Sequence, residues 1–253
     1  MAALRAFSAL VGPPMFAMTL FNGRYRKYRP SPGQVRFSYA KDLFNLGVVF
    51  FIIQVAAIIQ YQTANIIIAR NFGTADVTSY NVVYKYFGMP YMAYAIFLTP
   101  FWSASTEAYH KNDRQWIRNS MHRYSQLNVL IAVGCLIMLL LSGTFYRLWL
   151  GEGKVQIDFA LSFWGFAYYL VMMYGAKYVQ FLNGISALRI QFIASIISPF
   201  LYIATVMLLI KVLKLGVHAL FISSIIANFN GIILAPLQYR MIMKKNKTGI
   251  WTR

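Results

Sequence analysis

The chain has 253 residues, of which 59% are hydrophobic and only 12% are charged. A water-soluble domain of this size carries about 25% charged residues, so the composition leaves too little polar surface to cover a globule in water. The 24 Lys and Arg residues far outnumber the 6 Asp and Glu residues, but they form short clusters between long apolar segments. This distribution is typical of loops beside a membrane rather than of a nucleic-acid-binding groove. We therefore expect a membrane protein whose partner is the lipid bilayer, not nucleic acid.

Seven segments are long and apolar enough to cross the hydrocarbon layer, which takes roughly 20 residues of helix. We predict an all-α, polytopic transmembrane helix bundle with spans at residues 2–20, 43–68, 82–106, 127–148, 157–179, 190–210 and 217–241. The first span is the weakest, because it is short and is interrupted by Gly12, Pro13 and Pro14. No segment remains for a soluble domain.

The basic residues alternate between the two sides of this predicted bundle. The loops after the first, third and fifth spans, together with the tail, contain 17 of them, and the loop after the fifth span is bounded by Lys177 and Arg189. The alternate loops contain five: Arg70, Arg147, Lys154, Lys211 and Lys214. Because cytoplasmic loops carry the excess of Lys and Arg, this pattern predicts a cytoplasmic C-terminus.

Seven spans with a cytoplasmic C-terminus place the N-terminus outside. We therefore expect the chain to be the C-terminal part of a longer protein that has an odd number of additional upstream helices. The alternative is a protein of seven spans.

The second span has a polar face. Gln54, Tyr61, Gln62 and Asn65 fall within a sector of about 100° on a helix of 3.6 residues per turn. Polar groups are costly in lipid, so this face is expected to point into the bundle. Two interpretations remain open: it lines a cavity, or it forms interhelical hydrogen bonds.

The third span has a face with Lys85, Thr99, Ser103 and Thr106. A charge inside the hydrocarbon layer needs a partner or water. Lys85 therefore either lines a hydrophilic cavity, where it attracts a phosphate, or extends to the outer headgroups.

A neighbouring face of the third span is rich in aromatic residues and contains Tyr80, Tyr84, Phe87, Tyr91 and Tyr94. Helix packing is the favoured interpretation, and a platform for sugar, in which Tyr84 and Tyr91 take part, is the alternative. Glu107 follows at the inner end of the span. It either pairs with Lys111 four residues later or acts as a gate.

The sequence contains no pattern that indicates an enzyme. His110, His122 and His218 are dispersed, and no group of His, Cys, Asp and Glu has the spacing of metal ligands. Nucleotide-binding and serine-hydrolase motifs are missing too. We expect no catalytic residues, no metal and no cofactor, and we interpret Cys135 as a small buried hydrophobic residue.

Several motifs resemble a known family. The segment YNVVYKYFGMPYMAYAIFLTPFWSASTEAYHKND, residues 80–113, resembles bacterial O-antigen and polysaccharide flippases of the multidrug/oligosaccharidyl-lipid/polysaccharide exporter superfamily. Its core is TPFWSASTEAY, residues 99–109. FYRLWLG at 145–151, FLNGI at 181–185 and PLQY at 236–239 are weaker matches. The resemblance extends from about Ser38 to the end.

This resemblance implies a transporter of twelve to fourteen helices in two bundles around a central cavity, in the bacterial inner membrane. Residues 1–21 would be the last helix of the N-terminal bundle, 22–42 a basic cytoplasmic linker, 43–243 the six-helix C-terminal bundle and 244–253 a basic cytoplasmic tail. The missing N-terminal bundle would be a partner. Family members often have an acidic residue in the segment that matches 62–65, where this chain has Ala64, and often a basic residue at the position of Lys85.

The function that we predict from this resemblance is flipping of a polyprenyl-diphosphate-linked oligosaccharide by alternating access, during synthesis of surface polysaccharide or lipopolysaccharide. Two alternatives stay open. One is a cation-coupled exporter of small molecules from the same superfamily, and the other is a non-transporting remnant of a truncated gene. We also expect the chain on its own to dimerise or to be unstable, because its polar faces would meet lipid.

Overall fold

A computed structural model of the protein describes residues 15–23, 25–29, 38–151, 157–244 and 247–252. Within these ranges every regular element is helical, which confirms the predicted all-α class. The helices are α1 (residues 15–22), α2 (Ser38–Asn71), α3 (Thr74–His110), α4 (Arg114–Leu150), α5 (Phe159–Gly184), α6 (Arg189–Lys211), α7 (Ala219–Ala227) and α8 (Ala235–Met243). A π-helical turn, Asn230–Leu234, connects α7 to α8.

The chain divides into two units, Met1–Gly47 and Val48–Arg253. The described part of the first unit contains α1, a 3-10 turn at Arg26–Tyr28 and the beginning of α2. The second contains the rest of α2 and every later helix. The predicted domain boundaries at 21, 42 and 243 stay predictions, and residues 2–14 of the first predicted span lie outside the described residues.

Four helices in the described residues are long and apolar enough to cross a membrane. They are α2 from Phe44 onward, α4, α5 and α6, and the pair of α7 with Asn230–Met243, bent by 46°, makes a fifth if it is counted as one span. Helix α3 has 37 residues but is not among them. The physical reason is that its tyrosines, Lys85 and Pro90 give it a lower mean hydropathy than the other helices, which are richer in aliphatic side chains.

Large apolar side chains cover much of the surface of the second unit. Phe51 of α2, Leu130 and Leu140 of α4 and Phe200 of α6 are each at least two-thirds exposed. Exposed apolar area on this scale is unfavourable in water but matches the hydrocarbon of a bilayer. The arrangement fits a protein with several membrane-spanning helices.

Helix α5 is the centre of the bundle because glycines let its neighbours approach closely. A side chain at Gly165 would collide with Val83 of α3, and one at Gly175 would meet the backbone oxygen of Gly231 at 2.7 Å. At Gly184 the neighbouring atom is Oγ of Ser105, at 2.5 Å. Small residues at contacts are how membrane helices gain close van der Waals packing.

The structure describes three of the regions in which the sequence pattern places most basic residues. Helices α3 and α4 are joined by a tight turn at 111–113, where the Asp113 side chain caps α4 by accepting a hydrogen bond from the backbone N–H of Trp116 (2.9 Å). Lys177 is not at a loop boundary, as the sequence pattern suggested, but lies within α5, 4% exposed. Near the C-terminus, Nε2 of buried Gln238 donates to the backbone oxygens of Ala187 (3.1 Å) and Trp251 (2.8 Å).

Candidate functional site

A cavity of about 290 Å³ lies between the middle of α2 and the helices α3, α5, α6 and α7. Its size is at the lower end of the range for ligand pockets. Helix α2 contacts α3 through side chains beside this space. Phe50 packs against Trp102, with ring centroids 5.4 Å apart, and the Tyr61 hydroxyl donates to Oδ1 of Asn81 at 2.9 Å.

One face of α2 forms a wall of this cavity. Its lining residues follow helical spacing: Ile53, Ala56, Ala57, Gln60, Tyr61 and Ala64. The polar face predicted for α2 points in a direction about 100° away from this lining face, which is the rotation between consecutive residues of a helix. Gln54 and Gln62 are consequently exposed outside the cavity, and of the sector only Tyr61 lines it.

Asn65 connects α2 to α3 rather than lining the cavity. Its Oδ1 accepts a hydrogen bond of 2.8 Å from Nδ2 of Asn81, and Oδ1 of Asn81 accepts from the Tyr61 hydroxyl. For Asn65 the geometry is therefore that of interhelical hydrogen bonding, one of the two interpretations that the sequence left open.

The tyrosine stripe of α3 serves mainly as packing. Tyr80, Phe87 and Tyr94 are buried, and the Tyr91 ring packs against that of Tyr169 at 5.9 Å. Two residues of this stripe, Tyr80 and Tyr84, line the cavity.

Tyr84 is surrounded by other aromatic rings at the cavity wall. Its ring centroid is 5.1 Å from that of Tyr61, 5.5 Å from that of Tyr169 and 6.3 Å from that of Tyr168. Tyr61, Tyr84 and Tyr168 line the cavity. This wall of the cavity is thus made of phenol rings from α2, α3 and α5.

A further wall is formed by polar residues of α6 and α7 that the sequence analysis did not identify. Gln191, Ser195 and Ser198 of α6 line the cavity, with Ser224 of α7 and Asn228 just after it. Oγ of Ser198 donates to the backbone oxygen of Ala227 at 2.8 Å. The spacing of these residues in the sequence could have predicted this. Gln191, Ser195 and Ser198 are separated by four and three residues, and Ser224 and Asn228 by four, so each group lies on one face of a helix.

The predicted polar face of α3 lies outside the cavity. Lys85, Thr99 and Ser103 are exposed, and Thr99 bonds only to the carbonyl of Ala95 in its own helix. Met89, Met92 and Ile96 lie between them on the same exposed face. Thr106 is different: its Oγ1 lies 2.6 Å from the backbone oxygen of Gly184 and holds α3 to α5.

Glu107 pairs with Lys111 at the C-terminal end of α3. The carboxylate Oε1 lies 2.5 Å from Nζ, and both side chains are exposed. The hydrogen bond from Lys111 lowers the pKa of the Glu107 carboxyl and the reciprocal bond raises the pKa of Lys111, because it stabilises both charged forms. The pairing of Glu107 with Lys111, one of the two interpretations from the sequence, is thus present, and a gate at Glu107 stays a prediction.

Among the described residues, the cavity lining contains amide, hydroxyl and aromatic groups but no Lys, Arg, Asp or Glu. In the part of the chain that the structure describes, no three His, Cys, Asp or Glu side chains are grouped as metal ligands would be. Cys135 is buried in α4 as an unpaired thiol. The chemistry offered by the cavity is hydrogen bonding and ring contact with an uncharged polar ligand.

Comparison with known proteins identifies the family. The family described as polysaccharide biosynthesis protein matches residues 6–152, more than half of the chain. The chain belongs to this family. The match includes the motif at 80–113 and FYRLWLG at 145–151, whereas FLNGI and PLQY lie beyond it. No curated protein and no solved structure matches the chain.

The family and the apolar helices together define the protein at a coarse level. It is a multi-pass membrane protein of polysaccharide biosynthesis. As a polysaccharide biosynthesis protein it combines lipid-facing surfaces with an uncharged polar cavity between α2 and the rest of the second unit.

Proposed function

We propose that this protein translocates a polyprenyl-diphosphate-linked oligosaccharide across the bacterial inner membrane by alternating access, as the C-terminal half of a flippase and without enzymatic chemistry. Its C-terminus is cytoplasmic in this proposal, and an N-terminal helix bundle completes the transport route. The observation that carries the proposal is the uncharged, tyrosine-rich cavity between spanning helices of a polysaccharide biosynthesis protein.

The cavity chemistry suits a glycan. Sugar hydroxyls lose their hydrogen bonds to water when they enter a membrane, so a transporter has to replace them. Gln60, Gln191, Ser195 and Asn228 supply neutral donors and acceptors, and the tyrosine rings beside them supply flat apolar surface. A cavity of about 290 Å³ accommodates part of an oligosaccharide rather than the whole.

The exposed polar residues of α2 and α3 supply a second part of the proposal. Gln54, Gln62, Lys85, Thr99 and Ser103 are costly when they face lipid. We assign them to the surface that meets the substrate and the N-terminal bundle. Lys85 forms no ion pair with another described residue, and it attracts the diphosphate there.

Cation-coupled export of small molecules is the alternative from the same superfamily. Such exporters favour acidic residues in the cavity, and none of the described residues that line this cavity is acidic. Ala64, which lies in the segment where relatives often have a carboxylate, lines the cavity as a small apolar residue. The lining therefore favours a neutral sugar over a cationic drug.

The test is made in the host with the natural gene. Deletion is expected to reduce surface polysaccharide and to leave lipid-linked oligosaccharide in the inner leaflet. Restoring the gene with Ala57→Phe, which places a ring in the cavity, is expected to leave export low. Ile58→Phe is the matched control, because Ile58 is the next residue of α2, is exposed and does not line the cavity.

Two results would contradict the proposal. If the deletion leaves surface polysaccharide and its lipid-linked precursor unchanged, the protein is a remnant without transport activity. If instead the deletion changes only sensitivity to cationic drugs, the exporter alternative is correct.

Lys85 has its own prediction. Lys85→Ala is expected to reduce export at least tenfold, because a charge-assisted hydrogen bond to phosphate contributes about 1.5–3 kcal/mol. Lys211→Ala removes the same charge from the exposed end of α6 and is expected to export normally. Normal export by Lys85→Ala would show that the diphosphate is bound elsewhere.

A further inference from the structure

A second pocket, a groove of about 420 Å³, lies between α4 and α5, apart from the α2 cavity. Ser125 and Asn128 line it from α4, and Tyr174, Lys177 and Tyr178 line it from α5. Its remaining lining is apolar: Val129, Ala132, Leu170 and Met173.

Lys177 is almost completely buried beside this groove, with 4% of its surface exposed. Nζ donates to Oγ of Ser125 at 2.7 Å and lies 5.5 Å and 5.2 Å from the ring centroids of Tyr174 and Tyr178. No carboxylate pairs with it in the described residues. An ammonium group has three N–H donors, and only one of them makes a hydrogen bond at this position. Because a cation–ring contact does not take up a donor, two donors are left for an anionic acceptor.

The groove changes from polar to apolar along its length. On α4 the polar residues Ser125 and Asn128 precede the apolar residues Val129 and Ala132. Helix α5 runs antiparallel to α4 and has the reverse order: the apolar residues Leu170 and Met173 come before the polar residues Tyr174, Lys177 and Tyr178. Polar residues therefore face each other at one end of the groove, and apolar residues at the other.

The polar end coincides with the expected edge of the membrane. The predicted spans 127–148 and 157–179 begin and end within two residues of Ser125 and Lys177, so both helices reach the boundary at the same level. Arg118 and Arg123 lie on α4 just beyond it. Tyrosines at such a boundary are typical of the membrane–water interface.

From this geometry we infer that the groove binds one anionic phospholipid, with its phosphate on Lys177 and an acyl chain along Val129, Ala132, Leu170 and Met173. The phosphate is the anionic partner that Lys177 does not have among the described residues. The hydrogen bond between them is charge-assisted, because both its donor and its acceptor carry a charge. Because basic loops mark this side of the bundle, the lipid belongs to the cytoplasmic leaflet, whose surface is negative. The site is independent of the proposed transport function.

The test uses the whole chain in phosphatidylcholine nanodiscs with increasing fractions of phosphatidylglycerol. Native mass spectrometry counts the retained phosphatidylglycerol, and the unfolding midpoint reports its stabilising effect. We expect one retained lipid in the natural protein and at least tenfold weaker retention in Lys177→Met. Lys177→Arg should keep the lipid, and Lys211→Met is the control for the loss of one positive charge outside the groove.

Three outcomes would overturn the inference. The first is equal retention of phosphatidylglycerol by the natural protein and Lys177→Met. The second is an equal rise of the unfolding midpoint when inorganic phosphate replaces phosphatidylglycerol, since the ligand would then be a free anion. If Lys177→Met does not fold, the natural protein is tested with a photoreactive phosphatidylglycerol instead. The third contradicting outcome is then that crosslinks are found only outside the peptides that contain Ser125 and Lys177.

Discussion

Two lysines in hydrophobic segments occupy opposite environments in this protein. Lys85 of α3 is exposed, whereas Lys177 of α5 is buried against Ser125. The sequence pattern left Lys85 either lining a hydrophilic cavity or extending to the outer headgroups, and it placed Lys177 at the edge of a loop. Residue type and span position do not determine this difference, because it depends on which face of each helix meets a neighbour.

Thr106 provides a test at the residue scale. Its Oγ1 is 2.6 Å from the backbone oxygen of Gly184, where α3 and α5 pack closely. Thr106→Val keeps the shape but leaves that carbonyl without its partner, so we expect a loss of about 1–2 kcal/mol in the free energy of unfolding. Thermal or denaturant unfolding in mild detergent measures it.

The control for Thr106 is Thr144→Val. Thr144 is an exposed residue of α4 and forms no hydrogen bond to another helix within the described residues. Its substitution is expected to change the free energy of unfolding by less than about 0.5 kcal/mol. Equal effects of the two substitutions would mean that the Thr106 bond does not contribute.

At the scale of elements, α2 shows how much of a site follows from periodicity. The sequence correctly indicated a helix with a polar face, since its spacing is a local property. The face that lines the cavity is nevertheless offset from the most polar one. Small residues such as Ala56, Ala57 and Ala64 line the cavity, while Gln54 and Gln62 are exposed.

The contact of α5 with the π-helical turn makes a prediction at this scale. A methyl group at Gly175 would lie 2.7–2.9 Å from backbone atoms of Gly231, which cannot move as a flexible side chain would. Gly175→Ala is therefore expected to lower the free energy of unfolding by about 1–3 kcal/mol and to separate α5 from Asn230–Leu234. Unfolding in detergent measures the loss.

Gly134→Ala is the matched control. Gly134 lies inside α4, and nothing lies within 4 Å of the position of an added Cβ. Because alanine favours a helix over glycine by about 0.5–1 kcal/mol, this substitution should be neutral or stabilising. Loss of stability in Gly134→Ala as large as in Gly175→Ala would contradict the packing explanation.

At the scale of the whole molecule, the distribution of Lys and Arg among the loops predicts how the protein is oriented in the membrane. The fold alone does not determine this orientation. The predicted cytoplasmic side contains the α3–α4 turn and the tail after α8. A fluorescent protein fused after Arg253 is expected to fluoresce, and alkaline phosphatase fused there to be inactive. Fusions after Lys214, in the loop between α6 and α7, should report the opposite side. Identical signals at both positions would contradict the topology.

The sequence by itself determined the membrane character, the helical class and the family motif at 80–113, because each depends on composition or on residues close along the chain. Only the tertiary structure decided which helix faces enclose the cavity and that Lys177 lines a groove. These features arise from contacts between distant residues, such as Gln60 with Ser198 and Ser125 with Lys177. A helix pattern specifies which faces need partners, whereas close packing at residues such as Gly165, Gly175 and Gly184 decides which partners they obtain.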